Sequence, residues 1–365
     1  MSKGRILHID TERSWRGGEQ QAFSLVKGLQ KRGWENFAVA RSNDEFLRRI
    51  KKISIPICEV NPFNAWDPFT VLKIRKFINK NKIDLIHAHT GHAVTFSALA
   101  TLGTSVPFVL TRRVDFHLSK NFLTRWKYSK ASHVIAISEN VKNVLLLDGV
   151  IEKNISIVRS GIEFERFNDV IPVSKEELGV PNNAIVIGNI AALEDHKDHQ
   201  TLIKAFALFS KKNPDFYLVI VGDGSLKNHL LALGDQLQIN DKIRFLGFRK
   251  DALRYLAAFD FFCLSSKLEG LGTSVLDAMG LKIPVIATNA GGIPEMIEEG
   301  KNGFLAMAQD PHSLFLAFER ARSKQNELDN LVQSAYQRAM DFSVNHTISG
   351  TEAIYLKILP KNNRM

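Results

Sequence analysis

A chain of 365 residues, 45% hydrophobic and 24% charged, is too apolar for a disordered protein, and its length suggests about two globular domains. Its net charge of +10 is unevenly placed: residues 1–170 carry 27 Lys and Arg against 16 Asp and Glu, and the remainder 21 against 22. A basic half suits an anionic partner, whether membrane lipid, phosphorylated glycolipid or nucleic acid, and equally suits a merely soluble basic face.

The first half alternates short apolar runs with helical patterns. Strands are predicted at 5–10, 35–41, 55–60, 83–89, 107–113, 133–138 and 155–160, with helices between most of them, for example at 19–31 and 68–81. The first strand begins almost at once and leaves no room for a signal peptide. Near-continuous apolar strands separated by helices predict a parallel, doubly wound α/β sheet. The uncharged stretch 85–111 is long enough to raise a membrane span, but three histidines, Gly91, Gly103 and Pro107 interrupt it, so a strand, a helix and a strand are expected. A polar segment at 163–181, punctuated by Pro172 and Pro181, reads as a linker. A second alternating series then runs through 184–191, 216–222, 242–248, 259–265, 284–289 and 303–307, and a last helix at 345–359 is placed to return to the first domain. The expected organisation is 1–168, 169–343 and a C-terminal return at 344–365. Cys58 and Cys263 each sit in an apolar run, which suits buried, reduced thiols in a cytoplasmic setting. In open α/β sheets ligands bind beyond the carboxyl ends of the strands, so the loops that follow strands carry the candidate chemistry.

The densest signal is residues 265–280, SSKLEGLGTSVLDAMG, which follow a strand and enter a helix near Thr273. Gly270 and Gly272 allow close backbone approach, and the free amides of Leu271, Gly272 and Thr273 favour an anion at the helix start. Glu269 and Asp277 can grip hydroxyls on different parts of one ligand; ordinary surface acids on a glycine-rich loop are the plainer reading.

This segment resembles the signature of retaining glycosyltransferases of the GT-B fold, family 4 (group 1). That pattern is Glu-x7-Glu and a helix of small residues, followed here by Pro284-Val285-Ile286-Ala287-Thr288, Gly291-Gly292-Ile293-Pro294-Glu295 and Asn302-Gly303-Phe304. The resemblance spans residues 4 to about 358 and departs at Asp277, where the family has Glu. It implies two Rossmann-like domains facing across a cleft, with Glu269 on the donor sugar and Asp277 on the nucleotide ribose. In the loop 188–199 the family directs an Arg and a Lys at the donor diphosphate; Lys197 fits the second, and the neutral Asn189 stands at the first. A solvated lysine is the alternative for Lys197. Gly222 would line the nucleotide pocket, and Phe248 and Arg249 would meet the base. Gly17 and Gly18, ahead of a helix, would close over the diphosphate, or serve only as a helix-start turn.

His87 and His89 share a strand face. The resemblance places His89 near the acceptor or the transferred sugar, whereas His87 reads as a core residue. A metal pair is rejected because no further ligand set has metal spacing. Arg112, Arg113 and Asp115 are candidates for an anionic acceptor. Residues 116–130 mix aromatics with Lys and Arg, as a lipid-headgroup surface does, or as an amphipathic helix packed on the sheet does.

The implied activity is transfer of a sugar from a nucleotide diphosphate-sugar donor to a hydroxyl of a glycan, glycolipid or lipopolysaccharide-type acceptor, in cell-envelope polysaccharide biosynthesis. Lys197 and the prepositioned amides would stabilise the leaving diphosphate, and Glu269 would position the sugar. No cofactor, metal or nucleic-acid partner is expected, and the location is cytoplasmic or peripheral on the inner membrane face. The alternatives are a sugar-nucleotide epimerase or phosphorylase, and a catalytically weak sugar-nucleotide-binding protein, motivated by Asn189 and Asp277. A dinucleotide oxidoreductase ranks last, since the first strand's loop has no G-x-G-x-x-G.

Overall fold

The computed structural model describes residues 2–13, 15–324 and 327–359. The chain forms two units: Met1–Gly161 with Val344–Met365, and Ile162–Ser343. The first holds β1 (Arg5–Ile9), β2 (Glu35–Arg41), β3 (Ile57–Val60), β4 (Leu85–Ala88), β5 (Phe108–Arg112), β6 (His133–Ala136) and β7 (Ile155–Ile157), in the order β3-β2-β1-β4-β5-β6-β7. Every pairing is parallel. Strand order reverses between β1 and β4, where His8 stands opposite His87. That switch point is where a doubly wound sheet opens a crevice at its carboxyl edge.

Helix Gly17–Lys31 buries Ala22, Leu25, Val26 and Leu29 on this sheet. The last helix, Val344–Ile358, packs beside it and places Ile348, Ile354 and Tyr355 in one cluster with Ile6, Leu29, Trp34 and Leu85. Gly28 permits the close crossing: a Cβ there would come within 2.1 Å of Ile348 Cδ1. The indole of Trp34 donates to Glu352 Oε1 at 2.9 Å, which gives the buried ring nitrogen its partner.

The second unit holds β8 (Ile185–Ile190), β9 (Phe216–Val221), β10 (Ile243–Gly247), β11 (Phe261–Leu264), β12 (Val285–Thr288) and β13 (Phe304–Ala306), parallel throughout in the order β10-β9-β8-β11-β12-β13. Its switch point lies between β8 and β11.

The segment 163–181 is not a linker. A 3-10 turn at Phe164–Phe167 sets the Phe167 ring against Gly280, and Val173, Leu178 and Val180 are buried. The Val173 amide donates to the Arg254 carbonyl at 3.2 Å. The unit boundary therefore falls at 161/162 and not at 168/169. Anchoring residues scattered at irregular intervals among polar ones leave no periodic trace.

Stretch 85–111 forms β4, helix Gly91–Ala100 and β5, and no described helix is long and apolar enough to cross a membrane. Cys58 and Cys263 are buried free thiols.

Candidate functional site

In the second unit the loops after β8 and β11 are knitted together at the switch point. Lys197 ends a 3-10 turn, Asp195–Lys197, and its ammonium pairs with Glu269 Oε2. Ser266 Oγ donates to the same oxygen at 3.1 Å. The Lys267 amide donates to His196 O at 2.9 Å, Ser265 Oγ to Lys197 O at 3.0 Å, and the Gly292 amide to Glu269 O at 3.0 Å. These bonds fix both loop backbones beside the pair. Gly272, at φ 90°, then turns the chain into helix Thr273–Gly280, whose start no side chain caps. A Cβ at Gly272 would lie 3.3 Å from Glu269 Cγ, in a left-handed conformation that favours glycine. Leu271 is buried at 1% exposure, so its side chain anchors the turn. A cation, an acid and an uncapped helix start thus meet on one loop system, and the helix start and the ammonium both favour negative charge.

Other predicted donor residues stand elsewhere. Asn189 is fully buried: Nδ2 donates to Cys263 O at 2.8 Å, and Oδ1 accepts from His199 Nε2 at 3.0 Å. Its amide ties β8 to β11 and to helix His199–Ser210, which removes it from the donor set. The cause is its place inside β8, where side chains project from the sheet, rather than in the loop beyond. Burial, reinforced by the Lys197 charge, pushes His199 down to about 4.

Asp277 pairs with Arg166, a partner that sequence reasoning missed because it lies in the segment read as a linker. Burial raises the Asp277 carboxyl and the Arg166 charge opposes that rise. Gly222, at φ 152°, and Gly224 let the loop after β9 press on the loop after β8: a Cβ would come within 1.9 Å of Ala191 O and 2.6 Å of Leu193 O. Phe248 is 61% exposed, and Arg249 lies over the Tyr255 ring at 5.6 Å. Two cavities of about 540 and 280 Å³ in this unit include none of the predicted donor residues.

In the first unit the crevice at β1 and β4 collects a second set. Helix Gly17–Lys31 begins at the predicted glycine pair, and a Cβ on Gly18 would lie 3.4 Å from Arg113 Cδ. Glu19 Oε2 accepts from the Arg16 amide at 2.7 Å. Arg113 Nη2 lies 3.3 Å from His89 Nδ1. His89 Nε2 is 3.0 Å from His8 Nδ1, and His8 Nε2 is 3.0 Å from Asn36 Oδ1. His87 takes Tyr355 Oη on one nitrogen and Thr111 Oγ1, at 2.6 Å, on the other.

The three acceptor-side candidates therefore separate. Arg113 joins His89, Arg112 donates to the Phe116 carbonyl, and Asp115 is buried. Asp10, which sequence reasoning missed, is buried next to this set with Oδ2 lacking a hydrogen-bond partner. Its carboxyl is pushed well up by burial and then by Glu19, against the Arg113 charge.

His8 corrects the argument used against a metal, because His8, His87 and His89 offer ring nitrogens within 4.8 Å of one another. The strand pairing that makes this trio is invisible in a linear sequence. Every one of those ring nitrogens already has a hydrogen-bonding neighbour, and a guanidinium stands at the open end, an electrostatic disadvantage for a cation. Burial lowers His8 to about 4 and holds His87 and His89 well below the usual imidazole range. Burial also lowers Arg113 to about 10, against the pull of Asp10 and Glu19.

Two parallel, doubly wound sheets with a loop system at each switch point are the features of the GT-B class. Residues 170–338 match the family described as Glycosyl transferases group 1, and residues 15–166 match Glycosyltransferase Family 4. The putative glycosyltransferase EpsD of Bacillus subtilis is 28% identical over 92% of this chain and 93% of its own. An Escherichia coli protein, UDP-Gal:alpha-D-GlcNAc-diphosphoundecaprenol alpha-1,3-galactosyltransferase, is 25% identical over 87% of this chain and 88% of its own. Anabaena HepE, solved in complex with UDP and glucose, superposes with a TM-score of 0.83 over 97% of this chain and 100% of that one, at 22% identity. The chain belongs to the group 1 glycosyltransferases, enzymes that transfer sugars.

Proposed function

We propose that the second unit binds a nucleotide diphosphate-sugar and that its sugar passes, with retained configuration, to a hydroxyl of a lipid-linked glycan. The observation that carries this is the Lys197–Glu269 pair beside the uncapped start of helix Thr273–Gly280. Departure of the diphosphate builds negative charge on its oxygens, and prepositioned amides with one ammonium stabilise that charge most where water is thin. Glu269, released from Lys197 as the donor enters, orients sugar hydroxyls. Asp277 or its partner Arg166 meets the ribose, and Phe248 and Arg249 meet the base. HepE, bound to UDP and glucose, and the Escherichia coli relative, named for a diphosphoundecaprenol acceptor, support this choice of substrates. His89 and Arg113 are assigned to the transferred sugar or the acceptor, and no metal ion is required.

The first unit is also proposed to rest on an anionic membrane surface. Helices Pro68–Asn81, Gly91–Ala100 and Phe122–Ser129 lie side by side. Phe69 and Phe122 are each 78% exposed near the starts of the outer two. Residues 68–83 and 116–138 contain no Asp or Glu, and 85–111 no charged residue at all. Exposed aromatics on helices drawn from acid-free stretches of sequence suit a lipid headgroup layer.

Purified protein supplied with UDP-, GDP- and ADP-sugars and a lipid-linked acceptor is expected to release nucleoside diphosphate only when the acceptor is present. Release of equal size without acceptor, together with a free epimerised sugar, would establish the epimerase instead. Tight donor binding with no release under any pairing would reduce the chain to a binding protein. Chelation by EDTA is expected to leave the rate unchanged.

A further inference from the structure

The polar chain that starts at Arg113 admits one proton arrangement. Asn36 Nδ2 donates to the carbonyls of Trp34 and Val26 at 3.2 and 3.4 Å, which turns its Oδ1 toward His8 as a pure acceptor. His8 must then carry its proton on Nε2, and a neutral imidazole has only one. Its bare Nδ1 lies 3.0 Å from His89 Nε2, so Nε2 is also the protonated nitrogen of His89. His89 Nδ1 is left as a lone pair facing Arg113 Nη2, a group that can only donate. Both histidines and Asn36 are at most 4% exposed, so water does not scramble the sequence of donors. His87, bonded to two hydroxyl groups, can satisfy either tautomer and sets no direction.

We propose that His8 and Asn36 are positioning residues of the transferase, locking His89 in the Nε2–H form so that Nδ1 accepts a hydrogen bond from a sugar hydroxyl. The bond from Arg113, at 3.3 Å, is long for a guanidinium donor, and a bound hydroxyl replaces it. The inference rests on the reading of His89 as a sugar-contacting residue.

Nitrogen NMR of histidine-labelled protein at neutral pH tests it directly. His8 and His89 are both expected to show a protonated Nε2 and a bare Nδ1. A protonated Nδ1 on His89, or an imidazolium, overturns the proposal. Asn36→Leu removes the fixed acceptor and is expected to mix the His89 tautomers and lower kcat by about tenfold, with donor KM little changed. Asn36→Gln retains a neutral amide acceptor and is expected to restore both signals. Equal losses in the two variants would mean packing damage and would also overturn the proposal. Added Co2+ is expected to give no tetrahedral absorption band; a band abolished by His8→Phe would make the trio a metal site. Wild-type protein that shows the expected tautomers but transfers no sugar defeats the functional reading, whereas transfer with the wrong tautomer defeats this one.

Discussion

The Lys197 ammonium and the Glu269 carboxylate are 17% and 14% exposed and neutralise each other. Removing one partner strands the other in a poorly hydrated place, which costs more than removing both. Lys197→Met is therefore expected to lower Tm, and Lys197→Met with Glu269→Gln to recover most of the loss. Both variants are expected to lose transfer by about 100-fold or more, read as nucleoside diphosphate release. Turnover recovering along with Tm would make the pair purely structural.

Acid stability follows from the buried histidines. His8 and His199 are held to about 4, below the unfolded value of 6.5. The unfolded chain takes up protons that the folded one refuses, so their contribution is complete above pH 6.5 and fades as pH falls toward 4. Each is worth on the order of 3 kcal/mol across that window. Asp10 and Glu19, both raised, act with the opposite sign and favour the fold at low pH. Tm is expected to drop on acidification through the histidine window, and His199→Gln to flatten that drop. An acid-side fall in Tm as steep in His199→Gln as in the wild type would contradict a buried, neutral His199. At this scale the sequence singled out Lys197 and Glu269, which the structure brings together, because each sits in a recognisable loop. It misjudged Asn189, whose position inside or beyond the strand depends on where β8 ends. It hid His8 and Arg166, whose partners lie on elements distant in sequence.

Among the elements, the loop after β9 is held by glycine geometry. Gly222→Ala adds a methyl at φ 152° within 1.9 Å of a backbone carbonyl that has no side-chain freedom to retreat. A loss of about 3 kcal/mol is expected in chemical denaturation. Gly33, at φ 87° with no atom within 4 Å of its absent Cβ, should tolerate Asn with about 1 kcal/mol lost. Equal costs at the two positions would refute the steric argument. Strand positions were legible because parallel strands covered on both faces are continuous apolar runs bounded by turn residues. The segment 163–181 was not, because its three anchors, Val173, Leu178 and Val180, spaced by five and then two residues, keep to no single period.

For the molecule as a whole, most of the charge imbalance visible in the sequence falls in the acid-free stretches 68–83 and 116–138 of the first unit. The protein is expected to cosediment with anionic vesicles at low salt and to be released as salt rises. Phe69→Ser with Phe122→Ser should weaken that binding with little change in Tm, since both rings are already in water. Undiminished binding by this variant would assign the attraction to charge alone. The two-unit organisation was legible from two alternating series, but the site where the backbone passes from one unit to the other was not.

Residues 344–358, the last helix, carry Tyr355 and Ile348 into the core of the unit that begins the chain. During synthesis that leading unit leaves the ribosome with its hydrophobic cluster open. All of 162–343 must be made before the closing helix emerges. Of the two units, the one translated earlier is thus completed later, and it is the one that must be shielded while the nascent polypeptide grows.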